Sequence, residues 1–425
     1  MNYKKILSLA LTAAMTVGLA ACSPKKPDTS KNNTTSDGRI KIRFINGFTG
    51  GDGEYMKKIT DGFNKSQNKY FVEELQEKDH YTKFKADNFD LVVMHVNNLT
   101  TYVKDGSLRE MNDIYDKAGI KIGDFHPIAE KLVTRDGKLY AIPLDIHPLT
   151  MFYNKKLISK APENYEDLIK INQELQSKDK NLYALGVPNS GLVEFYMLTI
   201  AAQDGIKLDK DGYLNFAQPE YAKSLMKFHD MIWKDKISPE GLGLDGEFQS
   251  FMKESKENAA VQTAIALTGP WFYGAAKEKY GDDLGIGTIP VLGQKKAVYG
   301  NGHTIAVSKT VTDDKKIEAI AEFFKYMYKP ENLINWADAG QAPLHKATME
   351  LVNKNKDKYQ LAYYNQQQFD TFVQAPDVYQ FGEQIRYMNE TVFNKLVSTK
   401  NLTEDELMIE LKNATELAKQ VSGIK

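Results

Sequence analysis

The residues of this chain that could do chemistry gather at the ends of its apolar segments. The loop Gly47-Phe48-Thr49-Gly50-Gly51-Asp52-Gly53 follows an Ile-rich stretch and precedes helical spacing in Tyr55, Ile59 and Phe63. Its glycines permit close backbone approach to a ligand, and a helix N-terminus there offers free N–H donors. Asp52 could accept two hydrogen bonds from a vicinal diol, or it could simply cap the helix. No Gly-Lys-Ser/Thr follows, so this is not a nucleotide phosphate loop. Asn97 lies just past the apolar run 89–96, where an amide serves either a ligand or a turn. Trp271 follows Gly269-Pro270 at a strand-to-helix junction, where an indole can stack on a face of C–H bonds. The other reading is a core tryptophan, which suits Trp233 and Trp336 better because both lie in helical apolar stripes. Asn301-Gly302-His303 precedes another apolar strand, and Gly302 again allows close approach.

Several other chemistries are poorly supported. A single cysteine forms neither an intramolecular disulfide nor a thiolate zinc site. The seven histidines (80, 95, 126, 147, 229, 303 and 345) show no i,i+4 pair and no His-rich tract, so no metal site is expected. G-x-S-x-G, H-E-x-x-H and the P-loop are all missing, and no cofactor is expected. Lys and Arg total 55 against 56 Asp and Glu, which removes the electrostatic footprint of a nucleic-acid binder. An apolar fraction of 42% over 425 residues suits a globular protein of two or three domains.

These candidates must be positioned by alternating strands and helices. Strands are expected at 39–45, 70–75, 89–96, 139–142, 149–153, 261–267, 284–289 and 304–308. Amphipathic helices fall between them, including 164–176, 218–235 and 314–328. The alternation predicts an α/β protein with mainly parallel sheets. After Pro330 no strand is expected, only helices in series, the last opening with the capping-box pattern Thr403-x-x-Glu406.

The N-terminus carries a separate message. Lys4 and Lys5 precede an apolar run from Ile6 to Leu19, too short for a comfortable membrane span. Leu19-Ala20-Ala21-Cys22 resembles the lipobox of a bacterial lipoprotein signal, which would leave the sole cysteine, Cys22, as the lipidated first mature residue. The plainer alternative is an ordinary signal peptide that happens to precede a cysteine. Cleavage would leave 53 basic and 56 acidic side chains. Residues 23–38, with no apolar residue but two prolines, read as a flexible tether.

Five segments, in order, resemble the family 1 extracellular solute-binding proteins of ABC importers, the group that contains the maltose-binding protein. GKLYAIPLDIHPLTMFYNKKL (137–157) matches the family's Tyr-x-x-Pro, a short crossing stretch, then Tyr-Asn-Lys. LTGPWF (267–272), IGTIPVLG (286–293), AVYGNGHTIAVSK (297–309) and AEFFKYMYKPENLINWADAGQAP (321–343) follow. The resemblance covers essentially the whole mature chain. It departs where Asn88-Phe89-Asp90 stands for the family's Gly-x-x-Pro-Asp, and where Phe48 stands for a tryptophan in the first loop.

The resemblance implies an α/β, two-lobe fold of the periplasmic-binding-protein type II kind, with hinge crossings and a helical C-terminal tail. It places crossings near Leu144–Pro148, near Pro290–Gly293 and after Trp336. The implied parts are a signal at 1–21, lipidated Cys22 and tether at 22–38, an N-lobe of 39–144 plus 292–335, and a C-lobe of 145–291 plus 336–425. It further implies a carbohydrate in the interlobe cleft, held by Phe48, Asp52, Asn97, Asp145, His147, Trp271, Asn301, His303, Tyr379 and Phe381. His147 falls where a relative places a polar contact, though a hinge histidine satisfied by backbone is the alternative. The implied setting is the outer face of a bacterial cell membrane, anchored by lipid only, with ABC permease subunits as partners and the chain itself a monomer. The competing readings are a receptor for another small polar solute and a surface glycoside hydrolase, since carboxylates are plentiful.

Overall fold

The computed structural model describes residues 33–424. The signal segment, Cys22 and most of the tether lie outside these residues. The last tether residues are fastened to the body: Thr34 bridges Ile40, and Lys316 Nζ donates to Asn33 Oδ1 at 3.1 Å. The free tether expected through residue 38 therefore stops short of Asn33. Among the described residues no helix is long and apolar enough to cross a membrane.

In chain order the strands that build the two main sheets are β1 (Ile40–Asn46), β2 (Tyr70–Gln76), β3 (Leu91–His95), β4 (Ala141–Pro148) and β5 (Thr150–Asn154). They continue with β6 (Leu182–Leu185), β7 (Gln262–Thr268), β8 (Leu284–Gly287), β9 (Val298–Val307) and β10 (Phe372–Val373). The first sheet runs β10-β9-β3-β1-β2, with β4 on the other side of β9. The second runs β8-β5-β7-β6.

The β1–β2 and β1–β3 pairs are parallel, but β9 runs antiparallel to both β3 and β4, and β5 runs antiparallel to β7 and β8. The expectation of mainly parallel sheets is thus corrected to mixed ones. Strands such as β5 and β9 enter a sheet from the opposite lobe rather than through a helical crossover, so nothing constrains them to run parallel. The strand β10 was not expected after Pro330 because two residues are too few to show alternation.

Two apolar cores mark the two lobes. Ile146 belongs to the first and Leu149 to the second, so the chain passes between the cores at the end of β4. The strand β9 belongs to both: Val298 and Tyr299, like Leu292 before them, pack in the second core and Ile305 to Val307 in the first, so the chain returns within β9 and not near Pro290–Gly293 as the resemblance implies. The third transfer comes after Trp336, and well past the C-lobe bound of 336. Leu333, Trp336, Val352 and Phe372 all pack in the first core, and Ala375 and Val378 in the second. The cause is the apolar stripe of helix Pro330–Asp338, which lies against helix Gly53–Ser66 and keeps the chain in the first lobe. The final helix, Glu404–Ser422, has both halves of its capping box. Glu406 N–H donates to Thr403 Oγ1 at 3.2 Å, and Thr403 N–H donates to Glu406 Oε2 at 2.9 Å.

One buried acid in the second lobe makes the fold pH-sensitive. Glu247 is fully buried in helix Gly246–Phe251, with Oε1 accepting from Thr268 Oγ1 at 2.9 Å and Oε2 without a partner among the described residues. Burial pushes its carboxyl up to about 8. The folded state therefore holds this proton more tightly than the unfolded chain does, and stability falls as pH rises from the ordinary glutamate range to about 8. The loss is on the order of 5 kcal/mol. Glu247→Gln, which keeps the Thr268 bond without the charge, should flatten that slope in denaturation curves taken between pH 5 and pH 8.5. An unchanged slope would show that other groups set it.

Candidate functional site

The register of three strands gathers histidines that lie far apart in sequence. On β9, His303 stands opposite His95 of β3 on one side and Asp145 of β4 on the other. Directly opposed residues share a face of the sheet, and His147, two residues along β4 from Asp145, shares it too. A register shift between His303 and Thr304 interrupts the ladder at this point, as bulges commonly do beside sites. Ring centroids are 4.8 Å apart for His95 and His303, and 4.5 Å for His147 and His303. One ring nitrogen from each of the three lies within 4.8 Å of the other two. Spacing along the chain, with no i,i+4 pair, gives no sign of this cluster: strand pairing brings the three rings together.

Asp145 is the anchor behind them. It is fully buried, and it accepts from His303 Nδ1 at 2.9 Å, His147 Nδ1 at 3.1 Å and Trp336 Nε1 at 2.6 Å. Burial alone would raise its carboxyl, but the charge on His303 and the hydrogen bonds from both histidines hold it below the usual carboxylate range. His95 Nδ1 is hydrogen-bonded to Tyr81 Oη at 2.8 Å, and the same oxygen accepts the His95 backbone N–H. Burial, with the neighbouring His303 and His147, pushes His95 well below the ordinary histidine range. Burial and His303 lower His147 as well. Both rings are therefore neutral at pH 7.

These side chains form one wall of a cavity of about 570 Å³ between the lobes. Phe48 closes its base, with its ring 4.9 Å from His303 and 4.7 Å from Trp336. Asp52 lines it and makes no capping bond to its helix, and burial raises its carboxyl. Trp271 faces these residues from the second lobe, at the end of β7, and is 49% exposed. Its ring stands edge-on to His147 and to Phe195, each at 6.2 Å between centroids. The indole folds back over Gly269, where an added Cβ would sit 2.2 Å from the ring, so only glycine leaves room. A larger groove, of about 660 Å³, runs along Tyr153, Gly285 and Tyr363 at the edge of the second sheet, away from these groups.

Of the residues expected to bind, Phe48, Asp52, His147, Trp271 and His303 meet in the cavity, with Asp145 directly behind. Four others lie off its wall. Asn97 is in the first turn of helix Val96–Lys104, two residues past His95, which takes the place at the strand end. Asn301 pairs with His147, and its Oδ1 accepts the Gly302 N–H. Tyr379 Oη donates to Asp105 at 3.0 Å, and Phe381 is buried in the second core. Sequence reasoning missed His80, Tyr81, His95 and Gln341. The only signal for His95 is a polar residue inside the apolar run 89–96. His80 is buried, packs its ring on Tyr81 at 4.0 Å between centroids, and has neither ring nitrogen paired among the described residues.

The chain matches the family model for bacterial extracellular solute-binding proteins over residues 59–361. It belongs to that family. The maltodextrin-binding protein of Bacillus subtilis (strain 168) is 24% identical over 400 residues, covering 89% of each chain. The multiple sugar-binding protein of Streptococcus mutans is 25% identical over 364 residues, covering 80% of this chain and 82% of its own. The structure of the sugar-binding protein MalE of Xanthomonas citri superposes with a TM-score of 0.74 at 19% identity, covering 90% of this chain and 98% of that one. The two-lobe fold of this solute-binding protein is therefore the fold of its neighbours, with the histidine-lined cavity where the lobes meet.

Proposed function

We propose that this solute-binding protein captures a carbohydrate, a sugar or short oligosaccharide, between its lobes and delivers it to the permease of an ABC importer. The observation that carries the reading is Trp271, a half-exposed indole facing a cavity whose opposite wall offers Asp52 and imidazole nitrogens. A pyranose has one face of C–H bonds that stacks on an aromatic ring, while its hydroxyls reach hydrogen-bonding groups at the edge. The names of the relatives, a maltodextrin-binding and a multiple sugar-binding protein, support the same class. A solute that touches both walls favours the closed arrangement of the lobes through its contacts there.

Binding is favoured over hydrolysis. A glycosidase needs two carboxylates flanking the bond. Among the described residues Asp52 is the one carboxylate on the cavity wall, and Asp145 behind it is enclosed by its three donors. A thermal-shift screen over mono- and oligosaccharides tests the reading, because a ligand at 100 times its Kd adds about 2.7 kcal/mol. A carbohydrate should raise the melting temperature without being cleaved. Stabilisation by other polar solutes alone would overturn the assignment of class.

Anchoring by lipid at the outer face of the membrane is the second part of the proposal. It rests on Leu19-Ala20-Ala21-Cys22. Cys22→Ser should release the protein into soluble fractions, since stable anchoring takes two or more acyl chains. A variant that still partitions with membranes and takes up labelled fatty acid would refute it.

A further inference from the structure

We infer that the cavity holds a divalent transition-metal ion of the zinc class, bound by His95, His147 and His303. This inference is independent of which solute enters. One ring nitrogen of each already lies within 4.8 Å of one on each of the other two. Closing them onto one ion, with metal–nitrogen distances of about 2.0–2.1 Å, needs ring shifts on the order of 1 Å.

The surroundings of the rings are those that metal-binding histidines need. A ligating imidazole holds its metal through one nitrogen and gives the other N–H to a carboxylate, carbonyl or similar acceptor, which fixes ring orientation and tautomer. Here the Nδ1 atoms of His147 and His303 are both bonded to Asp145, and Nδ1 of His95 is bonded to Tyr81 Oη. With Nδ1–H donated to the carboxylate, Nε2 is the nitrogen of His147 and His303 left for a metal, which displaces any proton there as it binds. None of the three Nε2 atoms has a hydrogen-bond partner among the described residues. Tyr81 Oη can likewise accept a hydrogen bond from His95 Nδ1–H. Trp336 donates to the carboxylate in turn, and both Trp336 and Asp145 are fully buried.

Donor type narrows the ion. Three imidazoles without thiolate suit zinc, nickel, cobalt or copper, and they disfavour calcium and magnesium, which take oxygen ligands. Three protein ligands also leave one position open, as in catalytic zinc sites. In this cavity the open position serves a water or an oxygen of the bound solute. His80, with both nitrogens unpaired in the same cavity, adds a nearby imidazole.

The test is a titration of the tag-free mature chain, stripped with chelator, with Co²⁺ read by visible absorption and Zn²⁺ read by calorimetry. One ion per chain should bind, and the Co²⁺ spectrum should be that of a four-coordinate nitrogen-rich site. His147→Ala should weaken binding at least tenfold, and Tyr81→Phe, which removes only the support to His95, about 10–100-fold. His126→Ala, a histidine outside the cavity, should bind as the parent does. Circular dichroism of each variant confirms that the comparison is made on folded protein. No stoichiometric binding by the parent, or binding undiminished in His147→Ala and Tyr81→Phe, overturns the inference.

Discussion

Trp336→Ala should cost about 3–5 kcal/mol of folding stability, the range for deleting a large buried aromatic. Trp336 is fully buried in the first core, against Phe48 at 4.7 Å between centroids. Two losses add. The vacated volume cannot collapse fully between helix Pro330–Asp338 and the sheet, and Asp145 loses the donor at 2.6 Å. Trp336→Phe separates them, because it fills most of the space and removes the hydrogen bond. That bond ends on a buried carboxylate, so its removal should account for about 1.5–3 kcal/mol. Urea denaturation of the two variants measures both. If Trp336→Ala lost less than about 1 kcal/mol, the residue would not be the core element that its burial implies.

Trp271→Ala should have the opposite signature. The side chain is 49% exposed, so its removal leaves no buried void and stability should move by less than about 1 kcal/mol. Affinity for carbohydrate should fall by roughly 2–4 kcal/mol, in the range of aromatic hot spots. That corresponds to a factor of about 30 to 1,000 in Kd. Gly269→Ala should produce part of the same loss without touching the indole itself, because the new Cβ would push the ring off its seat. Binding isotherms beside denaturation curves settle the matter. Normal affinity with collapsed stability in Trp271→Ala would assign the residue to the core instead.

Much of this arrangement is legible from local pattern. Glycine-flanked positions at strand ends led to Phe48, Asp52, Trp271 and His303, and all four face the cavity. The crossing stretch led to Asp145 and His147, which sit on one face of β4 because strand side chains alternate. His95 and His80 were not legible. Their proximity to the others depends on the register of β9 between β3 and β4, and a single sequence does not state which distant strands pair or at which residue. Asn97 shows the cost of uncertain element ends, since the residue that reaches the site is two positions earlier. The third lobe transfer was misplaced for a similar reason. An amphipathic helix announces that it has an apolar face, and says nothing of which core receives it.

The account rests on a carbohydrate entering the cavity between the lobes, and isothermal titration calorimetry of the mature chain tests this most directly. The titrants are glucose, maltose and longer malto-oligosaccharides, with arabinose- and xylose-based oligosaccharides as further series. At least one series should give a saturable isotherm with one site per chain, and the heat should vanish or weaken by the stated factor in Trp271→Ala. Absence of binding across all of the series, or a carbohydrate isotherm that Trp271→Ala leaves unchanged, would contradict the account.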